Sequence, residues 1–166
     1  MRILLAGFGS VLRGDDGFGV AVVNELLQGE RPKAGVRVID AGIAGIRVVQ
    51  ELTTGYDALI IVDTVQRNGT PGQIYILEPE VPEPLQLPAH ELRCLTADMH
   101  LTEPSRVLLH AKALNVLPAH VWLVGCEPAC TDEYVLQLSP AVRAAVPRAV
   151  IHVRGLLESV LASELT

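Results

Sequence analysis

Gly7-Phe8-Gly9-Ser10-Val11-Leu12-Arg13-Gly14-Asp15-Asp16-Gly17-Phe18-Gly19 lies between an apolar run, Ile3-Leu4-Leu5-Ala6, and residues 20–27, whose apolar positions suit a helix packed on a sheet. The apolar run reads as a buried first strand. Two adjacent carboxylates therefore stand in a glycine-rich turn where a strand hands over to a helix. In an open α/β sheet, ligands bind in the crevice beyond the carboxyl ends of the strands. Acidic side chains repel a phosphate there, so this turn points to a metal or to proton-transfer chemistry.

Working outward, the same alternation continues. Strands are predicted at 2–6, 35–40, 58–63, 73–77 and 120–125, and helices at 17–28, 45–52 and 104 to about 114. Ala58-Leu59-Ile60-Ile61-Val62-Asp63 is a continuous apolar run ending on an acid, the pattern of a central parallel strand covered on both faces. Asn68-Gly69-Thr70-Pro71-Gly72 is a turn cluster, and the proline-rich stretch 78–88 reads as a surface loop suited by length and exposure to partner choice. Pro104 opens one helix, and Ser139-Pro140 caps and opens a C-terminal helical region with apolar residues at helical spacing. Pro147 is expected to kink that region or split it in two. The chain thus predicts a single α/β domain, 1–166, in three layers: a mainly parallel twisted sheet of about five strands flanked by helices. A flavodoxin-like 2-1-3 strand order would set the ends of strands one and three side by side.

Composition narrows the function classes. The 166 residues fit one domain, 49% of them are apolar and 4% aromatic, so the core is built of Val, Leu, Ile and Ala. A formal charge of −6, with thirteen scattered basic residues, excludes a nucleic-acid footprint. No segment approaches the roughly 20 apolar residues of a membrane span, and the N-terminus lacks the pattern of a signal peptide. Cys94, Cys126 and Cys130 are odd in number without a CxxC pair, which suits a reducing cytoplasm. Cys126 and Cys130, at CxxxC spacing, read as buried small hydrophobes and not as a zinc site.

With a 2-1-3 order, Asp15, Asp16 and Asp63 converge on one edge of the sheet. His100, in Thr96-Ala97-Asp98-Met99-His100 before the Pro104 helix, is placed to reach the same crevice. Two carboxylates and an imidazole with open positions suit a divalent transition metal. Each residue has a plainer use: Asp15 as a helix N-cap, Asp16 as a partner of the helix dipole, Asp63 as a loop anchor, and His100 as a surface histidine. Their joint placement favours chemistry. His90, His110, His120 and His152 have no such support.

The loop Gly7-x-Gly9-Ser10-x-Leu12-x-x-Asp15-Asp16-Gly17-x-Gly19 resembles the opening of the nickel–iron hydrogenase maturation endopeptidases. The likeness continues through Asp40-Ala41-Gly42-Ile43-Ala44-Gly45, Ile60-Ile61-Val62-Asp63 and Pro71-Gly72. It extends to Met99-His100, Gly125-Cys126-Glu127-Pro128 and Leu138-Ser139-Pro140. The matches keep their order from about Arg2 to Val160. The resemblance implies an endopeptidase that trims a C-terminal peptide from the hydrogenase large-subunit precursor after nickel insertion. It carries the metal-contacting and catalytic roles to Asp16, Asp63 and His100, with nickel brought by the precursor and not permanently bound. Asp16 stands where some members have glutamate. The turn after Asp40 departs from the family's Asp-Gly-Gly-Thr at Ala41 and Ile43, which removes a threonine hydroxyl. Asp15 is expected to orient the loop, and Asp16 or Asp63 could act as the base. A cytoplasmic monomer is expected, with no nucleic-acid or membrane partner. The rival readings are a nickel-sensing chaperone that cuts nothing, a phosphorelay receiver, which would want a lysine where Gly125-Cys126-Glu127-Pro128 stands, and a Rossmann module, for which the third glycine is missing.

Overall fold

The computed structural model describes residues 1–29, 31–83, 103–131 and 134–162. Its strands are β1 (Ile3–Phe8), β2 (Val36–Gly42), β3 (Ala58–Thr64), β4 (Ile74–Leu77) and β5 (His120–Cys126). Its α-helices are α1 (Phe18–Gln28), α2 (Ile46–Leu52), α3 (Pro104–Ala113) and α4 (Pro140–Ala162), and a 3₁₀ turn, Gly14–Gly17, leads into α1. The strands lie in the order β2-β1-β3-β5-β4, so the 2-1-3 arrangement expected from the sequence is present. All neighbours run parallel except β4, which is antiparallel to β5. Residues 65–73 join β3 to β4 without a helix, and a connection that short does not carry the chain back for a parallel crossover.

Two helical layers close the sheet, and strand parity decides which layer each side chain meets. Ile3, Leu5, Ala58, Ile60 and Val62 pack with α1 and α4. Leu4, Ala6, Phe8, Leu59 and Ile61 pack with α2 and α3. Every residue of β1, and every residue of β3 before Thr64, is buried, as their apolar runs required. Burial of such side chains is worth roughly 1.5–3 kcal/mol each against leaving them in water.

The C-terminal region is one continuous helix, so of the two outcomes expected at Pro147, a kink or a split, the split does not occur. Pro147 lies on its exposed face, while Val146, Ala149, Val150 and Val153 face the sheet. The Arg143 carbonyl that loses its helical donor there is on the wet side, where water can replace the bond.

Close backbone approach fixes how α1 meets the sheet. A Cβ on Gly19 would stand 2.1 Å from the Val62 carbonyl oxygen and 2.4 Å from that of Phe8. Only glycine lets the first turn of α1 rest on both strands. Among the described residues no helix is long and apolar enough to cross a membrane.

Candidate active site

The register sets the stage. Gly7 pairs with Asp40 of β2 and with Val62 of β3, so the ends of the three strands are level and Asp63 stands one residue beyond that line. Above this edge opens a cleft of about 760 Å³, lined by Ser10, Arg13 and Asp16 from the first loop, Asp63 to Gln66 at and beyond the end of β3, and Glu103 to Ser105 at the start of α3. Ile43, from the turn after β2, and Thr131 complete its rim.

Asp16 and Asp63 therefore share one cleft although 47 positions separate them in the sequence. Asp16 is half-buried, and its Oδ2 accepts a hydrogen bond from the Ser10 backbone N–H at 2.7 Å. Gly9 makes that loop possible: its φ is +112°, and a Cβ there would stand 1.7 Å from the Asp16 carbonyl oxygen. Asp63 is 8% exposed, and its Oδ1 accepts the Thr64 N–H at 2.7 Å. Burial pushes the Asp63 carboxyl up to about 7; the Thr64 N–H offsets part of this rise, and the nearby Asp16 carboxylate adds to it. A carboxyl poised near neutrality can take or give a proton at working pH.

Asp15 has a different task, and it is not the N-cap of α1. It is 1% exposed, and its Oδ1 accepts the Ser139 N–H at 2.6 Å. Its Oδ2 accepts the N–H groups of Ala129 and Cys130 at 2.8 and 3.2 Å. Asp15 thus ties the first loop to the chain between β5 and α4, which matches the expected orienting role. The Gly14 N–H adds a bond to the Val135 carbonyl at 2.7 Å. Ser139 Oγ accepts the Val142 N–H at 3.4 Å, a long version of the expected cap.

Glu127 is the residue that reading the sequence undervalued. It is 5% exposed and accepts the Tyr75 hydroxyl at 2.9 Å and the Arg67 N–H with both oxygens. Burial alone would raise its pKa, but the Tyr75 hydroxyl and the N–H groups of Arg67, Gly69 and Asn68 outweigh burial and lower it. Glu127 so folds the segment after Asp63 back on β5. The turn cluster 68–72 signals that its N–H groups need an acceptor, but not that Glu127 supplies it.

The cysteines divide. Cys126 is buried, and that burial pushes its thiol up to about 11, whereas Cys130 is exposed, contrary to the expectation that both are buried. Cys130 follows the two residues that carry the chain out of the sheet after Glu127, which removes it from the core. His100 and Cys94 lie outside the described residues. Among the described residues, no group of three or more His, Cys, Asp and Glu side chains is arranged to hold a metal ion.

A sequence model of one family, HycI, hydrogenase maturation protease, matches residues 20–155. The chain belongs to the hydrogenase maturation protease family. It is 30% identical over 149 residues to the hydrogenase expression/formation protein HupD of Rhodobacter capsulatus, covering 90% of this chain and 68% of that protein. The hydrogenase maturating endopeptidase HybD of Escherichia coli superposes with a TM-score of 0.74 at 28% identity, over 96% of this chain and 93% of that one. The hydrogenase 2 maturation peptidase of a Thaumarchaeota archaeon gives 0.66 at 34% identity, over 95% and 98%. This maturation protease is thus an endopeptidase of hydrogenase maturation, built on the mixed, mostly parallel sheet of its relatives.

Proposed function

We propose that this protease removes a C-terminal peptide from the nickel-loaded large-subunit precursor of a nickel–iron hydrogenase, in the cytoplasm. The observation that carries this reading is the meeting of Asp16 and Asp63, from two strand ends, on one cleft open to solvent. Carboxylates suit a divalent cation that arrives with the substrate, already held by other ligands. His100 is the third contact in this proposal; it stands four positions before Pro104, which lines the cleft.

Asp16, the more accessible carboxylate, meets the nickel-bearing region of the precursor and sets the tail in place. Asp63 then takes a proton from the water that attacks the scissile carbonyl, and the same proton passes to the leaving amine nitrogen. Burial, which raises the Asp63 carboxyl towards neutrality in the metal-free protein, together with its place on the cleft, supports its choice as the base. Asp15 and Glu127 hold the two loops that present these groups and touch no reacting atom.

The test is intact mass analysis of the large-subunit precursor, with and without nickel, after mixing with this protein. Loss of a discrete C-terminal peptide from the loaded form alone is the expected result. Equal cleavage of both forms, or none of a verified loaded form, overturns the proposal. The variants Asp16→Asn and His100→Ala are expected to process the loaded precursor at least 100-fold more slowly; normal rates would remove those residues from the site.

A further inference from the structure

Ten large apolar side chains are conspicuously exposed among the described residues. Six of the ten, Val11, Leu12, Ile43, Tyr134, Val135 and Leu136, belong to loops that wall the cleft or are bonded to its wall. The other four, Leu27, Ile76, Leu114 and Ile151, are dispersed over separate elements. Single exposed apolar residues need no explanation, but a group concentrated at one place marks a contact surface.

The concentration is built in. Val11 and Leu12 lie between Ser10 and Arg13, both of which line the cleft. Residues 134–136 are held beside that loop by the bond from the Gly14 N–H to the Val135 carbonyl and by the grip of Asp15 on Ala129, Cys130 and Ser139. Tyr134 and Leu136 are 88% and 77% exposed, so the bond at Val135 anchors this segment while leaving the side chains in water. An anchored backbone with exposed apolar side chains loses less freedom than a free one when a partner covers it.

We infer that Val11, Leu12, Tyr134, Val135 and Leu136 form a docking face for an apolar surface on the folded body of the large-subunit precursor. The inference rests on the proposed function. Its occupant follows from continuity: the face adjoins the Ser10 and Arg13 wall of the cleft that takes the tail, so the body to which the tail is joined comes to rest beside that wall, on the face. The face reads the body of the precursor, whereas Asp16 and Asp63 read the tail.

The experiment measures the affinity of the nickel-loaded precursor for the full-length protein by calorimetry. The double variant Leu12→Ser/Leu136→Ser is compared with Leu114→Ser/Ile151→Ser, whose sites lie elsewhere, and circular dichroism checks that each is folded. The docking pair is expected to bind at least tenfold more weakly and the distant pair as the unmodified protein does. Equal binding by the docking pair, or an equal loss in the distant pair, overturns the docking face while leaving the proposed function intact. Absence of binding and cleavage by the unmodified protein overturns both. Sedimentation of the protein alone provides a further check: a dimer that dissociates in the docking pair would assign the face to a second copy of this chain and overturn the inference.

Discussion

Replacing Asp63 with asparagine will stabilise the metal-free protein while abolishing its activity. The carboxyl titrates at 3.8 in its ordinary state and at about 7 in the fold, chiefly because burial penalises its charge. Each pKa unit is worth about 1.4 kcal/mol, so the buried charge costs the fold about 4 kcal/mol once fully ionised. The sign follows from proton counting: between pH 3.8 and 7 the folded chain holds a proton that the unfolded chain has lost, and stability therefore falls as pH rises. The cost is absent below that window and complete above it. Asparagine is nearly the same size, keeps an oxygen for the Thr64 N–H and never ionises. Urea unfolding at pH 5, 6, 7 and 8 will show its advantage over the unmodified protein growing by about 2–3 kcal/mol across the series and levelling above pH 7. In the Asp16→Asn background the growth will be slightly smaller, because one neighbouring negative charge is gone. An advantage constant with pH, or one that shrinks as pH rises, would refute the reasoning and place a compensating positive group beside Asp63.

Asp15→Ala leaves the N–H groups of Ala129, Cys130 and Ser139 without their buried acceptor, and will destabilise the protein by about 2 kcal/mol or more in the same assay. Its activity will fall as well, because the loop that carries Asp16 is released. Gly19→Ala drives a methyl into the Val62 and Phe8 carbonyls and will cost at least about 3 kcal/mol, measured by thermal unfolding or lost soluble yield. Iodoacetamide followed by peptide mass mapping will label Cys130 and spare Cys126 in the native protein, since the Cys126 thiol is buried and resists ionisation.

Much of the fold is legible because period and length agree. The runs at Ile3 and Ala58 are too short for helices and apolar at successive positions, which leaves only strands covered on both faces. The meeting of Asp16 with Asp63 is legible for the same reason: one follows and the other ends such a strand, and a 2-1-3 order makes the strand ends neighbours. The direction of β4 is less open to reading, because its residues pair alike in either sense and only the shortness of the 65–73 connection argues for antiparallel. Pro147 alone does not decide whether the helix continues, since a proline reports a lost donor but not which face of a helix it occupies. The role of Glu127 depends on Tyr75, 52 positions away, and on N–H groups of a turn, and no local pattern encodes that meeting. Asp15 and Asp16 are adjacent and identical in type, yet one faces inward onto backbone donors and the other lines the cleft. Only the 3₁₀ turn that carries them separates the two.

The grip of Asp15 on Ser139 spans 124 positions of the chain. On a ribosome, the first loop leaves the exit tunnel long before Ser139 is made. Domains made at about 5–20 residues per second are exposed in part-formed states for seconds. During that interval the chain that carries Asp16 has no wall to lean on, and β3 still lacks β5 as a neighbour. The cleft is therefore among the last features to mature. A chain whose cleft residues come this early keeps them without their supports until nearly all of it has been made.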